Sequence, residues 1–575
     1  MTTILDADVS PRPNDGWRAG TSVARNGTLE ALAGFAIVFL LFSLVTIFFF
    51  WPVIAHLGSA LIGPPEDNLN DFWDTWYLLV AHDPAHFFHT TLLRFPDGTS
   101  LIYQSFAWPQ LLAVFVFSRI FGTDIHTLAA LQNLTILASF PLAGAGAFYL
   151  VRHFVRSTAG ALIGGFVYAF NPSHVAHAMH HAGVSSIEFV PFFVLAYLLA
   201  LERRSNAWLG AAAVFYALGA LSCWYYLFYG LYFIGFQLLY QRVRDRTWPR
   251  GWALKAPLRC LLWTVVLLSP LLVPMVFASG AAVYDGGGNT FVADLLGYVT
   301  FPPEHLLSAL GSGLYHRFTG YPWEATVYLG LINIAVLTWV CLRTGLARAS
   351  LGFYVVFGMI FFSVLASGEL FHLAGFVTPV FLPDAVLDRL PFFANVRSPS
   401  RIIVFTYLFL AIGIGFAMAT ALKERAQIWR IGAAAAAMLI VLDFYPAHLS
   451  ATPMTCSRGL AVLKADPEYG FGVFNLPIGY ADEDTYMFDQ ICDGRPLIDG
   501  MISRQTGQTL IDRLSLTNLE RQRKQLRDAH VKYVVIHRPR DGLYAWNAFL
   551  PPMLRFLRTY RQVYSDPNLI VLRVY

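Results

Sequence analysis

The sequence predicts a mainly α fold: a polytopic transmembrane helical bundle with an extracytoplasmic first loop and a small C-terminal α/β domain. Three observations carry this. The 575 residues are 56% hydrophobic and only 13% charged, with a mean hydropathy of +0.52, whereas soluble domains carry about 25% charged residues. Apolar runs long enough to cross a bilayer recur along the chain, starting with ALAGFAIVFLLFSLVTIFFFWPVIA. Beyond Ser450 charges become frequent and strand-like runs appear, FGVFNLP, VKYVVIH and LIVLRVY, with a helical pattern around LTNLERQRKQLRDAH.

Taken in order, residues 1–30 are expected to form a polar cytoplasmic tail that begins MTTILDADVSPRPNDGW. It has no small-residue cleavage site behind a short apolar stretch, so the first apolar run is expected to stay as a helix. A spanning helix needs roughly 20 apolar residues. Spans are expected near 31–55, 126–150, 158–171, 186–201, 206–222, 224–240, 258–278, 325–342, 350–367, 399–421 and 430–447. That is eleven spans within a module of 31–447, thirteen at most. The loop 241–259 holds six basic residues and one acid, a net +5, and short basic loops stay cytoplasmic. Residues 54–105 set six acids against Arg94 alone, a net −5, which marks an extracytoplasmic loop running to about residue 125. Within it FAWPQLLAVFVFSRIF (106–121) is read as a helix on the outer surface. An odd number of spans then places 448–575 outside. Five cysteines show no CxxC spacing, which argues against a zinc or redox motif. Cys456 and Cys492 share the terminal domain, either bonded in an oxidising compartment or left as two buried thiols. The net charge of +4 is spread over many loops and gives no basis for a nucleic-acid partner.

Three constellations stand out. In PPEDNLNDFWDTWY, Asp67, Asp71 and Asp74 are spaced four and three apart, so a helix would align them on one face. Mutual repulsion would raise at least one pKa, which suits a general base; a capped, solvated helix is the plainer alternative. Trp73, Trp76 and Tyr77 among them would anchor the loop at lipid headgroups, or stack on a sugar. In FNPSHVAHAMHHAGVSS, His177 and His181 stand four apart, as metal ligands or contacts to an anionic substrate; an interfacial loop that merely tolerates histidine explains them too. In LPFFANVRSPSRIIVF, Arg397 and Arg401 sit at the outer mouth of a span, against the usual charge bias. Guanidinium groups bind phosphate in bidentate fashion, though pairing with Asp384 and Asp388 would also satisfy them. Weaker signals are Glu324 in GYPWEATVYLG, the tip SCWYY (222–226), and a glycine-rich loop after Tyr284 and Asp285.

DNLNDFWDTW, LLRFPDGTSL, ALIGGFVYAFNPSHVAHAMHHAG and FFANVRSPSR together resemble the GT-C superfamily of polytopic glycosyltransferases, in a bacterial GT-C-like branch. The resemblance implies an enzyme of the bacterial cytoplasmic membrane. It would transfer a sugar from a polyprenyl-phosphate donor to an extracytoplasmic acceptor, commonly with inversion. It places an aspartate base early in the first outer loop, matched here by Asp67, with Asp71 at the polar position four residues on. The chain departs at the second outer loop, where several members carry an acidic pair and this one offers histidines and Glu188. A divalent metal at His177 and His181 therefore stays open, and no other cofactor is implied. Arg397, Arg401, His177, His181 and Glu324 are the candidates for holding substrate and phosphate. A flippase or transporter of lipid-linked saccharides would use the same cations without bond-making, and a non-catalytic envelope-assembly protein would use the terminal domain as its interaction surface. Transporters, however, often show repeated halves, and none is legible here.

Overall fold

The computed structural model describes residues 21–278, 289–390, 393–478, 480–504, 507–538 and 555–575. The first part of the polar tail and the loop at Tyr284 and Asp285 lie outside the described residues. Among the described residues, four helices are long and apolar enough to cross a membrane: Leu29–Phe49, Ile125–Val155, Trp252–Ala278 and Pro399–Lys423. The other expected spans coincide with Thr158–Ala169, Phe189–Arg203, Asn206–Ser222, Tyr225–Asp245, Leu331–Thr344, Leu351–Ala366 and Gln427–Asp443.

The helix Ile403–Lys423 is the axis of the bundle and is buried almost throughout. Small residues let its neighbour approach. A Cβ on Gly160 or Gly164 would lie 2.5 or 2.6 Å from the carbonyl oxygens of Gly415 and Ala411. Such close backbone contact is a main source of helix association where lipid removes the hydrophobic drive. The helix Trp252–Ala278 turns Leu258, Leu262, Val266, Val273 and Phe277 outward, a face suited to acyl chains.

Above the bundle, the strand Ala60–Ile62 pairs antiparallel with Ala451–Pro453, Ala60 opposite Pro453. The terminal domain holds a four-stranded sheet in the order Gly472–Leu476, Val531–His537, Leu569–Arg573, Arg561–Ser565; the first pair is parallel and the others antiparallel. VKYVVIH is buried on both faces, as a central strand rich in β-branched residues should be. Cys456 and Cys492 are disulfide-bonded, with Cα atoms 5.7 Å apart.

The first loop and the terminal domain share one hydrophobic core, in which Trp73, Tyr77, Leu93, Leu101 and Phe106 pack with Leu463, Phe471, Val473, Tyr486 and Met487. This corrects the expectation for the aromatics. Trp73 and Tyr77 are fully buried and stacked at 5.0 Å, so they serve neither as headgroup anchors nor as a sugar platform. The protein interior is a better place for two large rings than the interface, because a second domain covers them.

Candidate active site

The acidic helix spans Asp67–Trp76. Asp67 lies in its first turn, where a carboxylate is favoured by the helix dipole. The residue after it fixes this helix to Pro172–His180, which carries the histidines. Asn68 Nδ2 donates to the carbonyls of Ile62, Ala178 and Met179 at 2.9, 3.1 and 2.9 Å, and Asn68 Oδ1 accepts from Ala182 N at 2.9 Å. Helix-end carbonyls that would otherwise be orphaned are thereby satisfied. Gly63 makes the contact feasible: at φ +96° it passes so close to Met179 O that a Cβ would stand 1.7 Å away.

That clamp brings four charged side chains from four segments together. The histidine helix stops at His180, and the extended backbone of His181 (φ −142°, ψ 93°) accompanies an imidazole set between two carboxylates. His181 Nδ1 is 2.8 Å from Asp67 Oδ2, and Nε2 is 3.3 Å from Glu324 Oε1. Arg401 grips Glu324 from the other side, with Nε 3.0 Å from both carboxylate oxygens and Nη2 in close contact with Oε1. The Arg401 guanidinium lies over the ring of Tyr225, 4.9 Å from its centroid. The chain Asp67–His181–Glu324–Arg401 thus alternates in charge. Nη2 of Arg401 also approaches His181 Nε2 at 3.2 Å. Both groups are cations here, held together by the shared Glu324, and Nε2–H donates to the carboxylate rather than accepting from arginine.

The electrostatics follow from burial and pairing. Burial alone would neutralise His181, but Asp67 beside it and Glu324 behind push its pKa up to about 9. Burial raises Asp67, yet the His181 imidazolium, helped by Arg401, holds it below its ordinary value. Glu324, despite complete burial, is kept well below the usual carboxylate range by Arg401. Asp71 is different. Burial raises it to about 6, the Asp67 charge adding to the effect and His181 opposing it; Asp71 Oδ2 accepts from Ala182 N at 2.9 Å. Asp74 is pushed well above its normal value by burial and by Asp71.

The sequence-predicted residues are therefore not all equivalent. Asp67, His181, Glu324 and Arg401 form the cluster, and His177 adjoins it, its ring 5.9 Å from that of His181. Asp74 bonds Gln104 Nε2 at 3.1 Å and belongs to the floor under the helix. Arg397 lies half-buried in the irregular segment four residues ahead of Arg401. His180 pairs with Glu66 at 2.8 Å and stacks on Trp323 at 4.0 Å. Glu324, a weak signal in the sequence, stands at the centre, and SCWYY supplies the ring beneath Arg401.

One residue was not foreseen. The terminal-domain helix Tyr480–Asp493 runs alongside the acidic helix in the same direction: Trp73 Nε1 donates to Gln490 Oε1 at 2.7 Å, and Phe72 lies 6.5 Å from Phe488. Asp484, one turn before Phe488, faces the first turn of the acidic helix. It is buried, its Oδ1 has no partner among the described residues, and burial with the nearby Asp67 pushes it well above its normal pKa. The run ADED in YADEDTYMFD was the available signal, but nothing local distinguishes it from a solvated helix start.

No protein-family model and no curated protein matches the sequence. Solved structures do. The arabinofuranosyltransferase AftD from Mycobacteria superposes with a TM-score of 0.57 at 13% identity, covering 94% of this chain and 40% of that one. The archaeal oligosaccharyltransferase AglB from Archaeoglobus fulgidus, in complex with an inhibitory peptide and a dolichol-phosphate, gives 0.52 at 13% identity over 88% of this chain and 69% of that one. An Archaeoglobus fulgidus oligosaccharyltransferase tethered with an acceptor peptide gives 0.50, at 13% identity over 94% of this chain and 74% of that one. The chain spans about two fifths of the length of AftD. At these identities the likeness is one of architecture, and what this chain shares with those membrane enzymes is the polytopic GT-C fold.

Proposed function

We propose that the chain is a glycosyltransferase that moves a sugar from a polyprenyl-phosphate donor to an acceptor outside the cytoplasmic membrane of a bacterium, with the terminal domain on that outer side. The observation that carries this reading is the meeting of Asp67 and Arg401, remote in sequence, through His181 and Glu324 in one buried cluster. A base and a permanent cation in one cluster are what displacement of a lipid phosphate requires.

The step balances without an external energy source. The acceptor oxygen attacks the anomeric carbon, its proton passes to Asp67, and the bond from that carbon to the phosphate oxygen breaks. Attack opposite the phosphate inverts the centre. The departing phosphate carries growing negative charge, which Arg401 and the His181 imidazolium offset, with Arg397 and His177 nearby. General-base help contributes roughly 10²–10⁴ in rate; fixed charges aimed at the leaving group in a water-poor site contribute as much or more. Asp71 is a second candidate for the base on one specific ground: its pKa of about 6 lies nearer the operating pH than that of Asp67.

The test is transfer of radiolabel from a polyprenyl-phosphate sugar into product by purified protein and a membrane extract. Asp67→Asn should abolish transfer while the protein stays monodisperse in detergent; full activity would remove Asp67 from the base role and, if Asp71→Asn is inactive, assign it to Asp71. Label that crosses a vesicle bilayer without entering a new product would mean a flippase.

A further inference from the structure

We infer that Arg401 fills a latent metal site: its guanidinium occupies the position that a divalent ion bound by His177, His181 and Glu324 would need. The ligand atoms of those three side chains all lie within 4.8 Å of one another. Two imidazoles and a carboxylate are a common donor set for a tetrahedral ion with a fourth position open. The spacing fits as well. Two ligands of such an ion, each bonded at about 2.1 Å, stand about 3.4 Å apart, and His181 Nε2 is 3.3 Å from Glu324 Oε1. His177 is buried, and its Nδ1 has no hydrogen-bond partner among the described residues.

The place between these donors is taken. Arg401 Nη2 contacts Glu324 Oε1 and lies 3.2 Å from His181 Nε2, while Nε holds both Glu324 oxygens at 3.0 Å. Tyr225 backs the guanidinium, so the arginine has no vacant direction in which to withdraw without losing its partners. A divalent ion there would meet a fixed positive charge at contact distance, and an arginine cannot lose its proton to make room. The donor set thus fits a metal and the neighbouring residue excludes it. The transferase reading enters only in the consequence that the cation facing the leaving phosphate is built into the chain and is never loaded or lost.

The probe is zinc alone, titrated into chelator-stripped, full-length protein in detergent, with bound metal counted by elemental analysis. Surface histidines such as His86 and His89 give a background common to all variants, so the signal is the part that depends on Glu324. Wild type should show no Glu324-dependent zinc. Arg401→Ala should take up about one zinc per chain, at least about 100-fold more tightly than wild type, and Arg401→Ala/Glu324→Gln should lose it. Arg401→Met, which keeps the aliphatic bulk, serves if the alanine variant does not fold; Arg401→Lys should remain without zinc. One equivalent of Glu324-dependent zinc in wild type, or folded Arg401→Ala and Arg401→Met with no more than wild type, would overturn the inference. No sugar donor is present in this assay, so an inactive enzyme bears on the transferase reading and the zinc count bears on this one.

Discussion

Replacing Glu324 by glutamine isolates the strongest electrostatic contact in the site. The side chain is 3% exposed and its partner Arg401 12%, so solvent screens the pair weakly. At 3.0 Å and an effective dielectric of about 20, the attraction is about 5–6 kcal/mol. The amide keeps the shape and one acceptor, but leaves a buried guanidinium without its counter-charge and 3.2 Å from His181. Removing one member of a buried pair costs about 3–5 kcal/mol, and here the His181 imidazolium adds repulsion. The expected result is a destabilisation of that size in thermal unfolding in detergent, with the His181 pKa moving down from about 9. Arg401→Met alone should cost a comparable amount. In the double variant the two losses should fall short of additivity by at least about 2 kcal/mol, since residues in one ion-pair network couple. Additive losses within about 0.5 kcal/mol, or a Glu324→Gln protein as stable as wild type, would refute the alternating-charge chain described for this site.

Other outcomes are accessible to the same preparations. His181, raised from 6.5 to about 9 in the folded protein, contributes stability that is full below pH 6.5 and is lost as pH rises through 9; at about 1.4 kcal/mol per unit this is about 3 kcal/mol, and His181→Gln should flatten that part of the stability–pH curve. Asp484 has a raised folded pKa, so it costs stability above the unfolded carboxylate range; Asp484→Asn should raise the melting temperature at about pH 8, with the gain vanishing near about pH 4. Cys492→Ser opens a loop closed over a separation of 36 residues, which chain entropy values at about 4 kcal/mol as an upper figure; limited proteolysis of the terminal domain should accelerate accordingly.

What could be read from the sequence follows the range of the interactions. The acidic helix was legible because Asp67, Asp71 and Asp74 obey a local spacing, and the pair His177 and His181 for the same reason. Composition located the terminal domain, and its two cysteines could be named but not joined, because pairing depends on where the helix Tyr480–Asp493 lies against residue 456. Glu324 was only a weak signal, since its partners are Arg401 and His181 on other segments. Asp484 was invisible for the same reason: its neighbours belong to a helix at the other end of the chain. The role of Trp73 and Tyr77 was misread because an interface and a domain contact favour the same rings, and only the fold decides between them.

The pairing of Ala60–Ile62 with Ala451–Pro453 has a consequence for biosynthesis. A ribosome delivers the acidic helix early, but the strand that completes its base, and the helix Tyr480–Asp493 that packs along it, arrive only after the helix Gln427–Asp443. The surroundings of Asp67 are thus completed only in the final quarter of translation, and a chain ending near residue 447 would present a helical bundle with the acidic helix unsupported.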